Sequence, residues 1–351
     1  MFWCDSGRGG LTALPPSAPE CDGGRLGSSR VAGRPQPPGG RYLGEGMAVR
    51  GSLRNWMEYV VAWPLLQGLQ WLPLPLARGL AAGLGGLAYT ITPRWRAIAD
   101  RNLRLAFPEV SESRRKEIVR DVYRNLGRVL LSVARMPRID QGNIGQWLDY
   151  EGYEHYDEAR QRGRGVLYLT AHLGNWELSA HAHGLHGHPL HVVVRTLDNP
   201  YFDRFVAGRR VCSGNHVIRK QEFARRSIKA ISAQEAVGAL VDQNTSGEDG
   251  VFVDFFGHKA SATSGIVRLA MRTGAPVIPG FAFWDGERRK HVLRFSPPVP
   301  MVDTGNKEAD LVENTQRCQR VIEEAIREHP EQWLWIHRRW KTRPAGESDL
   351  Y

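Results

Sequence analysis

The sequence predicts an α/β protein with a mixed, largely parallel central sheet flanked by helices, preceded by an apolar helical segment that contacts a membrane. Short β-rich runs alternate with helical stretches from about residue 166 onward, and this alternation is typical of a largely parallel sheet covered on both faces. Hydrophobic residues make up 42% of the 351 residues and charged residues 24%, a globular composition that excludes a mostly disordered or polytopic membrane protein.

We divide the chain into four parts. Residues 1–46 are rich in Gly, Pro, Arg and Ser and lack an apolar signal-peptide region, so we expect them to be disordered, with Met47 as an alternative start. Residues 47–93 form the apolar membrane-associated segment, residues 94–344 the catalytic domain and residues 345–351 a tail. The four cysteines lack CxxC spacing and indicate neither a zinc site nor a disulfide framework.

The apolar segment carries no charge between Glu58 and Arg78. Its length is borderline for a bilayer span, and its prolines and glutamines weaken an ideal transmembrane helix. Trp56, Trp63 and Trp71 suit the interfacial belt of a membrane. The alternative is a helical hairpin packed on the globular domain.

Two helices are predicted between Arg94 and Arg138, with a break at Pro108, because apolar residues recur there at helical intervals. Further helices are predicted to start near Glu177, Pro200, Phe223, Ser264 and Leu311. The predicted strands are Val166–Thr170, Leu190–Val194, Val217–Ile218, Ala236–Val241, Val277–Phe283 and Val292–Phe295.

The most informative stretch is GVLYLTAHLGNWELSA, residues 165–180, where a strand runs into His172 and a helix then opens with Glu177. Ligands of open α/β sheets bind at the carboxyl ends of strands. Glu177 lies five residues after His172 across a turn, so we expect its carboxylate to hold one imidazole nitrogen and leave the other as a general base. No Ser or Cys occupies a G-x-S-x-G elbow, so the nucleophile is expected to be the hydroxyl of a substrate.

Zinc ligation is the weaker interpretation of these residues. Ligands five residues apart lie on different helix faces, and the chain has no HExxH motif. The histidines that follow fit a polar helix and loop surface better than a metal site; they are His181, His183, His186, His188 and His191.

HLGNWE resembles the first block of the lysophospholipid acyltransferase superfamily, in its late lipid A acyltransferase branch of lauroyl and myristoyl transferases. The blocks that follow agree in order: VVVRTLDNPYFDRFVAGRR at 192–210, DQNTSGEDGVFVDFFGHKASATSG at 242–265, GAPVIPGF at 274–281 and PEQWLWIHRRWKTRP at 330–344. The resemblance covers roughly residues 50–344 and implies a glycerol-3-phosphate acyltransferase-like fold. It also implies that His172 and Glu177 are catalytic and that Gly174, Asn175 and Arg195 lie near the acyl transfer centre.

The residues of these blocks have chemical interpretations of their own. The Gly174 amide and Asn175 lie at a helix N-terminus and could form an oxyanion hole, while Arg195 could hold an acceptor phosphate or stabilise the oxyanion. We expect Asp242 and Gln243 to contact acceptor hydroxyls, with a polar turn as the alternative. Thr263 and Ser264 precede a helix whose amides could bind an anion, although helix capping explains them equally well.

At the C-terminus, Trp333, Trp335 and Trp340 interleave with basic residues. We expect this segment to contact a membrane or a carrier protein, because no nucleic-acid fold signature accompanies it. The alternative is a solvated terminal helix.

The resemblance implies transfer of a fatty acyl chain to a hydroxyl of a lipid A precursor at the cytoplasmic side of the inner membrane. No metal or cofactor is needed, since an acyl carrier protein thioester or acyl-CoA is the co-substrate. The net charge of +10 favours an acidic carrier protein and an anionic membrane surface as partners, and we expect no nucleic acid. The alternatives are acyl-CoA-dependent acylation of another glycolipid such as phosphatidylinositol mannoside, thioester hydrolysis, and non-catalytic binding of anionic lipid.

Overall fold

The computed structural model describes residues 52–246 and 250–351. The predicted disorder of residues 1–46 lies outside the described residues. The helices are α1 (Ser52–Trp71), α2 (Leu74–Ile91), α3 (Pro93–Ala106), α4 (Glu112–Arg135), α5 (Tyr153–Gln161), α6 (Trp176–Leu185), α7 (Pro200–Val211), α8 (Phe223–Ser232), α9 (Gly265–Thr273) and α10 (Lys307–Glu328). The strands are β1 (Leu148–Glu151), β2 (Val166–Thr170), β3 (Leu190–Val194), β4 (His216–Arg219), β5 (Ala236–Leu240), β6 (Gly250–Phe255), β7 (His258–Thr263), β8 (Val277–Asp285) and β9 (Lys290–Phe295).

Seven strands form the central sheet in the order β1-β9-β8-β2-β5-β3-β4. All neighbouring strands pair in parallel except β8 and β9, which pair antiparallel. A separate antiparallel hairpin is formed by β6 and β7. The predicted α/β class with a mixed, largely parallel sheet is therefore confirmed.

Each of the six predicted strands is present, and those at Val166–Thr170 and Leu190–Val194 have the predicted bounds. The two helices predicted between Arg94 and Arg138 are α3 and α4, and they are separated around Pro108. The sequence patterns did not predict β1, β6 or β7.

The core lies on both faces of the sheet, and β2 runs through its middle. Every residue of β2 is buried, as the unbroken run of apolar and aromatic residues predicts for a central strand. Because side chains alternate along a strand, Leu167 and Leu169 pack into one apolar cluster while Val166 and Tyr168 pack into the other. The carboxyl end of β2 therefore emerges between two rigid layers.

Helices α1 and α2 form a hairpin that packs on α4, and α1 also contacts α7. The outer side of the hairpin exposes large apolar residues, among them Val61, Leu76 and Ile91. The three tryptophans predicted to lie at an interface, Trp56, Trp63 and Trp71, are exposed as well. Within residues 52–246 and 250–351, none of the helices combines the length and the apolar character needed to cross a bilayer.

The C-terminal segment after α10 is part of the core. Trp333, Trp335 and Trp340 are 1% exposed or less and pack against Phe255 and Phe256. The expectation that these tryptophans contact a membrane or carrier is wrong, because their indole rings fill the layer under β6 and β7. Arg339 is buried with them and donates a hydrogen bond to the carbonyl oxygen of Ser261.

Candidate active site

The register of β2 and β5 brings two side chains together at the carboxyl edge of the sheet. Thr170 pairs with Leu240 at the end of the two strands, so the chains emerge side by side. Two residues further along each chain lie His172 and Asp242. The imidazole Nδ1 of His172 is 2.9 Å from Oδ1 of Asp242.

Asp242 is fully buried and is held by three hydrogen bonds. Besides the contact with the ring, the His172 backbone N–H donates to Oδ2 at 3.1 Å and the indole Nε1–H of Trp333 donates to Oδ2 at 2.8 Å. Burial alone would raise the pKa of this carboxyl, but the nearby His172 and these hydrogen bonds outweigh it and lower the pKa to about 2. Asp242 is therefore an ionised acceptor under any physiological condition.

An ionised carboxylate can only accept hydrogen bonds, so a neutral His172 must carry its proton on Nδ1. The other ring nitrogen, Nε2, then has a free lone pair, and no described residue donates a hydrogen bond to it. The imidazole is 23% exposed and contacts the edge of the Trp176 ring at a centroid distance of 5.0 Å. With its tautomer fixed and Nε2 unprotonated, the imidazole can act as a general base.

The loop after His172 is fixed from three sides. The backbone N–H of Leu334 donates to the His172 carbonyl oxygen, and the side-chain amide of Asn125 on α4 donates to the Gly174 carbonyl oxygen at 2.8 Å. Gly174 has φ +63, and a Cβ at this position would lie 2.0 Å from the Ala282 carbonyl oxygen on β8. Only glycine can pass this close to the neighbouring backbone.

The oxyanion role expected of Gly174 and Asn175 is contradicted by their hydrogen bonds. The Gly174 N–H donates to the Gln332 carbonyl oxygen at 3.0 Å, and the Asn175 N–H donates to the Ala282 carbonyl oxygen at 2.8 Å. The Asn175 side chain is fully buried, where it caps α6 by accepting from the Leu178 N–H and donates to Ser132 Oγ. Both residues are committed to holding the loop and have no donor left for a substrate oxyanion.

The hydrogen bond expected between Glu177 and His172 is wrong. Glu177 lies in the first turn of α6 and accepts two hydrogen bonds from Arg210 on α7, at 3.0 and 2.5 Å. Because α6 begins at Trp176, the helical backbone directs residue 177 to α7, and the partner of the imidazole comes from β5 instead. Burial alone would lower the pKa of the Arg210 guanidinium, but its bonds to Glu177 and the charge of Glu177 raise it.

Arg195, which the resemblance implies is near the acyl transfer centre, follows β3. In the sheet, β5 lies between β2 and β3, so the strand of Arg195 is not adjacent to the strand of His172. Its side chain is 70% exposed and pairs with Asp198 at 3.1 Å.

The remaining predicted residues lie along the same edge or on the β6–β7 hairpin. Gln243 is partly buried and directly follows Asp242. Thr263 ends β7, where it pairs with Gly250. Ser264 precedes α9 as its N-cap residue, but its hydroxyl accepts from Arg268 Nε at 3.1 Å instead of capping the helix.

Two of the five later histidines are buried, contrary to the polar surface that we expected, whereas His186 is exposed and His188 and His191 are partly buried. His181 and His183 are 1% exposed, and His181 Nε2 contacts the Ile139 carbonyl oxygen. Burial lowers the pKa of His183 to about 3, so this ring is a neutral part of the core.

An apolar path connects the imidazole with the exposed hairpin. Trp176 packs with Phe205 of α7 around the buried Val129 and Met136. Phe205 in turn makes an edge contact with Trp63 on α1, with centroids 6.3 Å apart. Apolar side chains therefore contact one another between α1 and the ring that packs on His172.

Sequence reasoning missed Trp333 and misassigned Asp242 within the site. Asp242 was expected to contact the acceptor, and Trp333 was expected to lie at a surface. The position of Asp242 at the end of a predicted strand was the usable signal, since carboxyl ends of parallel strands meet at one edge. The sequence carried no signal for the indole N–H of Trp333, which depends on how the C-terminal segment returns to the sheet.

Comparison with known proteins identifies relatives over most of the chain. The sequence profile of bacterial lipid A biosynthesis acyltransferases matches residues 49–342. The lipid A biosynthesis lauroyltransferase of Escherichia coli K12 is 30% identical over 300 residues, covering 85% of this chain and 94% of that protein. The palmitoleoyltransferase of the same strain is 28% identical, covering 85% and 94%, and its myristoyltransferase is 26% identical, covering 84% and 91%.

Proposed function

The chain belongs to the bacterial lipid A biosynthesis acyltransferase family and is an O-acyltransferase. We propose that it moves a fatty acyl chain from an acyl carrier protein thioester to a hydroxyl of a lipid A precursor. His172 is the general base of the proposed reaction. Nε2 takes the proton of the acceptor hydroxyl as the oxygen attacks the thioester carbonyl. The thiolate leaves after the tetrahedral intermediate collapses, and the proton passes from the imidazolium to it or to solvent.

The observation that carries this proposal is the bond between His172 Nδ1 and the buried Asp242. That bond fixes the tautomer with a free Nε2 and stabilises the imidazolium that forms during the reaction. A structural histidine would not need an ionised, fully buried carboxylate behind an exposed ring, since burying a charge is costly unless it is paired.

Lipid access supports the same assignment. The exposed apolar residues of α1 and α2 would lie in the headgroup region of a membrane, with Trp56, Trp63 and Trp71 at the interface. From there, the path over Trp63, Phe205 and Trp176 leads a chain to the imidazole. We propose that the protein works at the cytoplasmic face of the inner membrane as a peripheral enzyme.

The charge of the chain supports a carrier protein as the donor. A net charge of +10 attracts an acidic partner, and this attraction weakens as salt is added. We propose that Arg195 holds a phosphate of the acceptor and that Gln243 contacts its hydroxyls. Thr263 lies before a helix whose N-terminal amides are proposed to bind an anion.

We assign a positioning role to Glu177. Its paired hydrogen bonds with Arg210 join α6 to α7, and α6 carries the Trp176 ring that contacts His172. Loss of this ion pair is expected to displace the wall of the site without removing the base.

The test is a mass-spectrometric assay with acyl carrier protein thioester, acyl-CoA and a lipid A precursor. We expect His172→Ala to lower turnover by roughly 10³-fold or more, as removal of a general base and its fixed proton path does. His216→Ala, which changes an exposed histidine on β4, is the matched control and should keep wild-type turnover. Glu177→Gln should lower turnover less than His172→Ala.

Wild-type turnover in His172→Ala would overturn the assignment of the base. Free fatty acid without acylated acceptor would indicate a thioesterase. Equal rates with acyl-CoA would overturn the donor assignment while leaving the base intact.

A further inference from the structure

A basic cleft of about 440 Å³ has a lining that includes neither His172 nor Asp242. It is bounded by α2, α4, the residue Trp147 and the turn between β8 and β9. Its cationic lining residues are Arg78, Arg120, Arg124, Arg128, Arg289 and Lys290.

Most of these cations have no counter-ion among residues 52–246 and 250–351. Arg124 pairs with Asp121 and Lys290 pairs with Asp149. Among the described residues, the other four arginines of the cleft make no ion pair with a carboxylate. Arg128 instead stacks on the Trp284 ring at 4.6 Å, and Arg78 donates to the Arg289 carbonyl oxygen at 3.4 Å. Four uncompensated guanidinium groups around one concavity repel one another unless an anion joins them.

The cleft lining also includes a buried histidine that contacts the loop of the candidate active site. His291 is 3% exposed, and its Nε2 lies 3.4 Å from the side-chain amide of Asn175. Because that amide nitrogen can only donate, a neutral His291 carries its proton on Nδ1. Burial lowers the pKa of His291 to about 3, so the ring is neutral and adds no positive charge to the cleft.

The surroundings favour a phosphate group carried by a lipid. Guanidinium groups bind phosphate oxygens through paired hydrogen bonds, and four of them converge here. The cleft also has apolar walls, formed by Ala81, Leu131 and Trp147. Leu76 and Leu87 on α2 are exposed beside it, in the surface that we propose to lie in the membrane.

We propose that this cleft binds a phosphate group, separately from the acyl transfer centre, with a membrane lipid as its source. A ligand in the cleft would lie beside His291, whose Nε2 is 3.4 Å from the side-chain amide of Asn175. Asn175 caps α6 and holds the His172 loop. The choice of a lipid as the source rests on the proposed membrane contact of α1 and α2, whereas phosphate binding itself can be measured without an acyl donor.

The experiment compares the full chain with two double variants that each remove two positive charges. Arg78→Gln with Arg289→Gln changes the cleft. Arg225→Gln with Arg272→Gln changes two exposed arginines on α8 and α9 and is the matched control. Binding is measured by sedimentation with phosphatidylcholine vesicles that contain either phosphatidic acid or oleate at equal negative charge, and by calorimetric titration with soluble glycerol 3-phosphate. Circular dichroism checks that each variant is folded. If the cleft double variant does not fold, the single variant Arg120→Gln, which changes an exposed arginine of the same cleft, replaces it.

We expect the cleft variant to bind phosphatidic acid vesicles roughly tenfold more weakly, while the control changes less than twofold. Oleate vesicles should bind more weakly than phosphatidic acid vesicles, because a carboxylate offers fewer acceptors. Tight binding of glycerol 3-phosphate that is lost in the cleft variant would support the phosphate site and assign it to a soluble ester instead of a lipid. Equal losses in the two double variants, or equal binding of oleate and phosphatidic acid, would overturn the proposal. It would also be overturned if the cleft variant lost affinity for acyl carrier protein and kept both phosphate affinities.

Discussion

The loop that follows β2 is held by internal hydrogen bonds, whereas the hairpin formed by α1 and α2 exposes apolar side chains. In the loop, the backbone groups of His172, Gly174 and Asn175 are bonded to neighbouring elements, and Asp242 receives three hydrogen bonds. In the hairpin, large apolar side chains such as Val61 and Leu76 are left exposed. The first region is fixed by internal bonds, whereas the second leaves apolar surface for an external partner.

The two regions differ because a catalytic base and a membrane contact have different structural requirements. A general base must hold one tautomer and one orientation, which requires several directional bonds that agree. A lipid contact needs only apolar area, which is not directional. We therefore expect substitutions in the loop to change turnover or folding strongly, and substitutions in the hairpin to change membrane binding alone.

The largest effect is expected from Asp242→Asn. The carboxylate accepts two hydrogen bonds at Oδ2, so the amide oxygen would take that place and the amide nitrogen would face Nδ1 of His172. The ring would then carry its proton on Nε2 and could not act as a base. Turnover in the mass-spectrometric assay should fall by roughly 10³- to 10⁴-fold, as for the wrong tautomer in a Ser-His-Asp triad. A loss of less than tenfold in a folded variant would show that Asp242 does not set the tautomer.

Gly174→Ala should lower the free energy of unfolding by about 3 kcal/mol or more, because an L-residue at φ +63 is strained and its Cβ would collide with the Ala282 carbonyl. Gly187→Ala is the matched control, since Gly187 has φ +79 but an open site with nothing within 4 Å. The control should lose about 1 kcal/mol by urea unfolding, from the backbone strain alone. Equal losses would mean that close packing against β8 does not fix the loop.

Acid should remove the contribution of Asp242 to stability. The pKa of this carboxyl is lowered in the folded protein to about 2, below its ordinary value. Its stabilising contribution, on the order of 2 kcal/mol, is therefore present above about pH 4 and is lost as the pH falls towards 2. The difference in unfolding free energy between wild type and Asp242→Asn, measured along this range, should shrink as acid is added. A difference that stays constant would contradict the assigned cause.

The smallest effect is expected in the hairpin. Val61 is 73% exposed, so Val61→Ser should leave the unfolding free energy nearly unchanged. It should weaken sedimentation with lipid vesicles by roughly fivefold, because one apolar side chain would no longer be inserted into the membrane. Val312→Ser on α10, where the valine is 43% exposed, should change vesicle binding less than twofold. Equal losses in the two variants would mean that the hairpin is not the membrane contact.

The sequence predicted what local pattern determines. The apolar run of residues 166–170 and the proline at 108 placed β2 and the break between α3 and α4, because both signals lie within a few residues. The patterns missed β1, since LDYE carries two charges in four residues, and β7, since HKASAT has one β-branched residue in six. They also missed β6, although GVFVDF is rich in strand-forming residues.

The site was harder to predict because it depends on strand order. Sequence spacing favoured Glu177 as the partner of His172, but β5 lies next to β2 and brings Asp242 from 70 residues away. Local reasoning could not know that α7 would supply Arg210 to Glu177, or that the C-terminal segment would bring Trp333 under the sheet. The base itself was predictable because a histidine directly after a buried strand lies at the carboxyl edge of the sheet in any strand order.

The most direct measurement is the tautomer of His172, read by nitrogen-15 magnetic resonance on the histidine-labelled protein at a pH where the ring is neutral. The His172→Gln variant assigns the signal among the 12 histidines. We predict a proton on Nδ1 and an unprotonated Nε2, and a reversal of the two in Asp242→Asn. A wild-type ring with its proton on Nε2 would contradict the proposal that this nitrogen takes the proton of the acceptor hydroxyl.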